Sequence, residues 1–343
     1  MDKRAINNLI NSYSHLDPEY GPKLTNHLPM ALYALYDIGA SDAQITQFAQ
    51  DHIKARGLTP LTQKSTTIID SQTYYSALGE RRSFSAYNQF FDKEISTHGR
   101  DETLKRHINF LMHGVCGCAF HGLIRTAYGL TADNNEEISR GLAYWADTHK
   151  TITTHPATLS TNGLSLSDAF AAAQQLHQEG HWDNMAQRAP NIYTKIKQIT
   201  DTRPFQSFIG QTPLNSQTNI DDFRRATLTL YQTFPNFTTL HCLTAVHALS
   251  GLYNTAAAPN DVLATMGQAT LATYLSIGAP DLTPLQTPTN LSGKNLSAEW
   301  NVIRASHNDH AIKLAYSARE EYRATQDPAY LKIIKDIAAP KLP

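Results

Sequence analysis

Helical spacing of apolar residues runs through almost the whole chain and constrains its fold more than any other feature. Segments 28–39, 42–57, 220–234 and 309–324 follow the helical pattern, in which apolar residues recur at every third or fourth position. Alternating strand patterns are scarce, and the best candidate, STTIIDSQTYY at 65–75, is short. The sequence therefore predicts an all-α protein built from many helices.

No feature of the sequence marks a domain boundary. The 343 residues suffice for one large domain or two ordinary ones, and neither a repeat of fixed period nor a low-complexity linker divides them. Residues 277–298, rich in Pro, Thr and Asn, are interpreted as a long surface loop, and residues 100–130 as two helices with a break near 114–117. We predict a single large multi-helix domain over residues 1–343.

Charge and cysteine content narrow the class of protein. The 29 basic and 30 acidic residues nearly cancel, and no basic block is present, so nucleic acid is not an expected partner. No stretch of the length needed to span a membrane is apolar throughout, and the first residues do not resemble a signal peptide. Three cysteines, an odd number, suit a reducing compartment. We expect a soluble, cytoplasmic protein with no membrane partner.

Fifteen histidines are unusually many, and several lie in uncharged stretches at 24–36, 107–124 and 226–260. These stretches contain His27, His113, His121, His241 and His247. A helix that is apolar all round is buried, and an unpaired buried polar group costs about 1–3 kcal/mol. Each of these histidines is therefore expected to be hydrogen-bonded or bound to a metal. One buried histidine is usually an ordinary core residue, but several on separate helices favour a buried His-rich metal site.

The remaining histidines include His98, His149 and His181, which are interpreted as surface residues. They lie outside the long uncharged stretches, so nothing in their surroundings predicts burial.

His310 and Lys313 lie one helical turn apart in the segment 306–318, SHNDHAIKLAYSA. The apolar residues of this helix cluster on one face, with His310 at its edge and Lys313 well away from its centre, so periodicity alone favours a solvated Lys313. If the helix is buried on more than one face, a lowered pKa would make the lysine a nucleophile. It could then take up carbon dioxide as a carbamate and supply an anionic metal ligand. The sequence leaves both possibilities open.

Common motifs of metalloenzymes and cofactor enzymes are absent from the sequence. It contains no H-E-x-x-H, no paired E-x-x-H and no G-x-S-x-G. No G-x-G-x-x-G follows a predicted strand, so a bound NADPH is not expected. A metal site in this chain would have to be assembled from separate helices.

Four segments, taken in order, resemble the questin oxidase family. They are NHLPMALYALYDIGAS at 26–41, AFHGLIRTAYGL at 119–130, LHCLTAVHAL at 240–249 and NDHAIKL at 308–314. The resemblance implies oxidative ring cleavage of anthraquinone-type aromatic polyketides, which in some members is Baeyer–Villiger-like and linked to NADPH. It also implies a His-rich non-haem iron centre with a modified lysine as an additional ligand. The chain departs from the pattern at Gly122, where proline is expected.

Carried over residue by residue, the resemblance implies a set of metal ligands in this chain. They are His27, His121, His241, His310 and Lys313, with His247 in reserve. His241 and His247 are six residues apart, about 240° around a helix, so both cannot point the same way. Lys313, as a carbamate, is also the candidate catalytic residue.

These features together predict an oxidoreductase, a non-haem iron oxygenase that uses dioxygen on an aromatic, polyketide-like small molecule. Four histidines without a carboxylate would be an unusual iron site, and a carbamate at Lys313 would supply the missing anion. Two alternatives remain. One is a metal-dependent hydrolase with the same ligands, and the other is a non-catalytic helical binding protein whose histidines are structural.

Overall fold

The computed structural model describes residues 1–62, 67–153, 155–182, 189–282, 291 and 296–339. The helices of the described residues are, in chain order, α1 (Lys3–Ser12), α2 (Leu28–Asp37), α3 (Asp42–Arg56), α4 (Phe84–His98), α5 (Arg100–Met112), α6 (His121–Ala132), α7 (Asn135–Asp147), α8 (Leu166–Gln178), α9 (Ile192–Thr200), α10 (Arg203–Gln211), α11 (Ile220–Thr233), α12 (Phe237–Leu252), α13 (Pro259–Ser276), α14 (Ser297–Arg304), α15 (Asp309–Thr325) and α16 (Ala329–Ala338). The predicted all-α class is confirmed.

Strands are confined to two short pairs within the described ranges. β1 (Glu19–Tyr20) and β2 (Leu24–Thr25) pair antiparallel, whereas β3 (Leu159–Ser160) and β4 (Leu214–Asn215) pair in parallel. None of the described helices has the combination of length and apolar character that crossing a bilayer requires.

The chain divides into two compact units. One unit comprises Met1–Thr62, Tyr128–Glu137 and Gln286–Pro343, and the other comprises Gln63–Ala127 and Ile138–Leu285. The prediction of a single domain over residues 1–343 stays a prediction. Most of the predicted surface loop at 277–298 lies outside the described residues.

In the first unit, α15 packs against α2 and α16, and α2 packs against α1 and α3. A capping box between Ser41 and Gln44 begins α3, and Gly57, left-handed with a φ of 60°, ends it as the sequence predicts. Asn308 caps α15 by accepting hydrogen bonds from the backbone N–H groups of His310 and Ala311. The Asn308 cap thus fixes the start of the helix that carries His310 and Lys313, two of the predicted ligands.

In the second unit, α13 is the central helix, and every residue from Val262 to Ser276 is buried. It packs against α5, α8, α9 and α12. The predicted break near 114–117 is confirmed, because α5 ends at Met112 and a 3₁₀ turn at Gly117–Phe120 precedes α6. Three consecutive residues of this connection, Cys118, Ala119 and Phe120, have positive φ angles of 45°, 54° and 69°.

The best strand candidate, 65–75, forms no strand over its described part, residues 67–75, which contains a bend and turns. The Asp70 carboxylate accepts hydrogen bonds from the backbone N–H groups of Gln72 at 2.8 Å and Thr73 at 2.9 Å. Such a local turn competes with extended structure, and its aspartate outweighs the β-branched residues before it.

Two expectations about histidine burial are also wrong. His113, expected inside a buried helix, is exposed because it follows the last residue of α5. His149, interpreted as a surface residue, is 7% exposed, and its ring stacks on Phe110 with centroids 6.2 Å apart. Burial lowers the pKa of His149 to about 4. His98 and His181 are exposed as predicted.

Gly114→Ala is expected to lower the free energy of unfolding by about 1–3 kcal/mol, because a Cβ at this position would lie 2.4 Å from His149 Cδ2. Urea denaturation measures the change. Introducing the same substitution into a His149→Ala background should remove most of the loss, since the clashing ring is gone. Equal losses in both backgrounds would show that the ring does not cause the effect.

Candidate metal centre

The first unit brings His27 and His310 together. His27 precedes α2, with Pro29 in the first turn of that helix, and His310 lies in the first turn of α15. Because α2 packs on α15, the two imidazole rings meet edge to face, with centroids 4.6 Å apart. These two predicted ligands therefore share one location.

A buried carboxylate, Asp309, lies between these two rings and was not among the predicted ligands. One oxygen, Oδ2, accepts a hydrogen bond from His27 Nδ1 and lies 3.5 Å from His310 Nδ1. The other oxygen, Oδ1, accepts a hydrogen bond from Arg56 Nη2 at 2.9 Å. Possible ligand atoms of the two histidines and Asp309 all lie within 4.8 Å of one another. Two histidines and a carboxylate are the residue types of the common non-haem iron site.

Electrostatics set the protonation states that a metal would require. Burial is the main reason why the pKa of His27 is well below its usual value, and the nearby Lys313 charge lowers it further. Burial also lowers the pKa of His310. Burial by itself would raise the pKa of Asp309, but hydrogen bonds from His27 and His310 outweigh it and hold that pKa below its ordinary range. At neutral pH both imidazoles are neutral and the carboxylate is ionised.

Lys313 is only 4% exposed, so the solvated position favoured by periodicity is wrong. The cause is that α15 packs against both α2 and α16. Burial lowers the pKa of Lys313 to about 8, although the Asp309 charge acts in the opposite direction. A substantial fraction of the amine is therefore neutral and nucleophilic slightly above neutral pH.

A further buried histidine, His52 on α3, lies within electrostatic reach of this cluster and was missed by the sequence analysis. It is 5% exposed, stacks on Phe48 and finds no hydrogen-bond partner for Nε2 within the described part of the chain. Burial lowers the pKa of His52 to about 4, with Asp309 opposing the shift. His52 is thus neutral at pH 7.

His52 is expected to make the protein acid-sensitive. Its pKa is about 4 when folded and about 6.5 when unfolded, so the unfolded state binds more protons between these values, and stability falls as the pH falls through this window. Relative to His52→Gln, the wild type should lose up to about 3 kcal/mol more between pH 7 and pH 4. Urea unfolding at several pH values measures the difference. Parallel pH profiles for the two proteins would contradict this expectation.

The second unit brings His121 and His241 together, with ring centroids 4.9 Å apart. His121 begins α6, and its Nδ1 donates a hydrogen bond to the Cys118 carbonyl, in the left-handed connection before the helix. His241 lies on α12, and its Nδ1 donates to the Phe237 carbonyl at 2.6 Å. The side chains are 5% and 2% exposed.

His247, the reserve ligand, lies six residues further along α12 and is half-buried. The ring contact with His121 belongs to His241, as expected if the two histidines point in different directions. The assignment of His121, His241 and His247 as ligands or reserve stays a prediction.

The four principal histidines share one feature, which is that Nδ1 of each ring faces an oxygen acceptor. For His27 and His310 the acceptor is the Asp309 carboxylate, and for His121 and His241 it is a backbone carbonyl. These oxygens can only accept, so each neutral ring carries its proton on Nδ1 and its lone pair on Nε2. An oxygen acceptor hydrogen-bonded to Nδ1 in this way orients a histidine that binds a metal through Nε2.

A cavity of about 630 Å³ in the second unit is lined by residues between 165 and 174, between 215 and 229, and by Tyr274, Asp281 and Leu282. None of the predicted ligands lines it, so this cavity is not part of the candidate centre.

Comparison with known proteins assigns the chain to a family. No curated protein matches it in sequence. The family model described as questin oxidase-like matches residues 24–318, a span that contains all of the predicted ligands. This match confirms the resemblance and indicates an oxidoreductase, an oxidase or oxygenase of aromatic polyketide-type small molecules. The chain belongs to the questin oxidase-like family.

Proposed function

We propose that this protein is a non-haem iron oxygenase that uses dioxygen to oxidise an aromatic, polyketide-like small molecule. The observation that supports the proposal most strongly is the shared orientation of the four histidines, whose Nδ1 atoms all face oxygen acceptors. Each ring is thereby held in the tautomer that offers Nε2 to a metal. Four unrelated structural histidines would not be expected to share one tautomer.

The residues of the first unit fit an iron ion in both chemistry and charge. Neutral imidazoles suit iron, and the nearby Asp309 carboxylate supplies negative charge. When bound, iron would supply the activation of dioxygen. In the proposal, Nε2 atoms of His27 and His310 bind the metal in the first unit. His121 and His241, with His247 as the alternative to His241, stay predicted ligands that the family resemblance implies.

Lys313 has a separate part in the proposal, as an anionic ligand formed from carbon dioxide. The neutral amine attacks carbon dioxide, a nitrogen–carbon bond forms, and the nitrogen releases one proton to solvent. The product is a carbamate with two oxygens and one negative charge. A pKa of about 8 provides the neutral amine that this reaction requires, and burial limits access of water.

Oxygen consumption by iron-loaded protein tests the proposed activity. A hydroxylated anthraquinone serves as the probe substrate, with and without NADPH, in an oxygen electrode. The wild type should consume oxygen when both iron and the probe are present. His310→Ala should abolish consumption, whereas His181→Ala, which changes an exposed histidine, should leave it unchanged.

Two outcomes would favour the alternatives. Conversion of the probe without oxygen consumption would indicate a metal-dependent hydrolase, in which a bound water becomes the nucleophile. A wild type that retains no iron would indicate a helical binding protein with structural histidines. In that case His27→Ala should change only the stability of the protein, because there is no metal to lose.

A further inference from the structure

Both oxygens of the Asp309 carboxylate are already engaged by groups of the chain. Oδ2 accepts from His27 Nδ1 and faces His310 Nδ1 at 3.5 Å, and Oδ1 accepts from Arg56 Nη2 at 2.9 Å. The carboxylate side chain is only 1% exposed. A single buried carboxylate therefore contacts two candidate metal ligands and one cation at the same time.

We infer that Asp309 is a positioning residue, which fixes His27 and His310 in the metal-binding tautomer and is itself anchored by Arg56, and that it is not a ligand of the metal. This inference rests on the proposed function, because it assigns the roles of residues within the same centre. It goes beyond that function by separating the ligands from the group that orients them.

The hydrogen-bond geometry favours positioning over direct ligation. A metal bound to Asp309 Oδ2 would displace the donor hydrogens of both imidazoles, and a metal bound to Oδ1 would displace Arg56 and meet its positive charge. A metal bound at Nε2 of His27 and His310 disturbs none of these bonds, because Nε2 lies on the opposite side of each ring from Nδ1. The hydrogen-bonded carboxylate also makes each imidazole a more basic ligand.

Arg56 completes the arrangement from the end of α3. Its guanidinium lies 5.9 Å from the centre of the Tyr20 ring, and its side chain is 38% exposed. It neutralises the buried carboxylate on the side away from His27, which limits the electrostatic penalty of burying that charge. The residue is thus an anchor for Asp309 that can be changed without opening the core.

Histidine tautomers in metal-free protein test this inference without any need for activity. In Asp309→Asn, Arg56 should keep the amide oxygen, and the amide NH₂ should then face His27 Nδ1. Since an NH₂ group only donates, the His27 proton should move to Nε2. Nitrogen-15 NMR of histidine-labelled protein detects this change, with the two rings assigned through His27→Gln and His310→Gln.

The double variant Arg56→Met with Asp309→Asn supplies the matched control. Without the guanidinium, the amide can turn its oxygen toward His27, and the proton should return to Nδ1. Arg56→Met alone should leave both rings with the proton on Nδ1. Because Arg56 is partly exposed, this single variant keeps the inference testable if Asp309→Asn fails to fold.

Anaerobic titration with Fe(II) then separates positioning from ligation. Asp309→Asn should weaken binding by about 10–100-fold, the usual effect of removing a group that hydrogen-bonds a metal-binding histidine. His310→Ala should weaken it much more. A loss as large as that of His310→Ala, with the His27 proton still on Nδ1, would make Asp309 a ligand and overturn the inference. Unchanged tautomers in all variants would also overturn it. If no protein bound Fe(II), the proposed function would fail, while the tautomer measurement would still decide whether Asp309 orients the rings.

Discussion

Lys313→Met is expected to raise the free energy of unfolding of the iron-free protein by about 3 kcal/mol at pH 7, although it removes a proposed ligand. Lys313 is 4% exposed, and burial lowers its pKa to about 8 from a usual value of 10.5. At pH 7 the folded protein must hold a charged ammonium away from water. Methionine has a similar length and carries no charge, so the penalty disappears.

The pH dependence gives this prediction its sign. Between pH 8 and pH 10.5 the unfolded state binds more protons at this lysine than the folded state does, so the contribution of Lys313 to stability rises with pH in this window. The difference between wild type and Lys313→Met should therefore be largest below pH 8 and shrink above it.

Urea denaturation in buffer free of carbon dioxide and iron measures the effect of Lys313→Met. Lys105→Met, on an exposed position of α5, is the control and should change stability by less than about 0.5 kcal/mol. A Lys313→Met protein no more stable than the wild type at pH 7 would show that Lys313 carries no burial penalty. The pKa of Lys313 would then not be lowered in the folded protein, and a neutral, nucleophilic amine near pH 7 would not be expected.

Gly122→Ala is expected to lower the free energy of unfolding by about 3 kcal/mol, at the upper end of the usual cost of overpacking. A Cβ at this position would lie 2.5 Å from Trp145 Cβ and 2.6 Å from Trp145 Cα. Because one of these atoms is backbone, α6 and α7 must move apart to make room. The close approach also explains why proline, expected here from the family pattern, is absent, since a proline Cβ would meet the same atoms.

Gly251→Ala is the matched control for Gly122→Ala. Gly251 is exposed on α12, and a Cβ there would meet no atom within 4 Å. Alanine should stabilise that helix by up to about 1 kcal/mol. The two substitutions therefore have opposite expected signs in urea denaturation. A stabilised Gly122→Ala protein would show that α6 and α7 do not pack as closely as described.

Gly122→Ala should also disturb the predicted ligand beside it. His121 immediately precedes Gly122, and its Nδ1 depends on the Cys118 carbonyl in a connection with positive φ angles. A shift of α6 would alter that hydrogen bond. We expect nitrogen-15 NMR of labelled histidines to show a changed His121 signal in Gly122→Ala and an unchanged one in Gly251→Ala.

The helices were the most predictable part of the fold, because periodicity and caps are local properties of the sequence. α3 ends at Gly57 and α5 ends before the glycine-containing break, as predicted. The strand at 65–75 failed because the side chain of Asp70 forms a local turn. Here the position of one polar residue mattered more than the average propensity of its neighbours.

The sequence pointed to His27 and His310, which the structure places together, but not to Asp309 between them. The uncharged surroundings of His27 predicted burial correctly, and His310 lies beside it as the resemblance implies. Periodicity misplaced Lys313 because it describes one helix at a time, whereas α2, α14 and α16 all pack against α15. Asp309 lies in the segment NDHAIKL at 308–314. Its contact with His27 joins residues 282 positions apart, and local spacing cannot reveal such a contact.

Elemental metal analysis of the purified protein, prepared with iron supplied and beside a His310→Ala variant, tests the central claim most directly. About one iron per chain is expected in the wild type, and its loss is expected in the variant, because His310 is a proposed ligand. His181→Ala, prepared in the same way, should retain the iron. Absence of metal from the wild type, or full retention of iron in His310→Ala, would contradict the account.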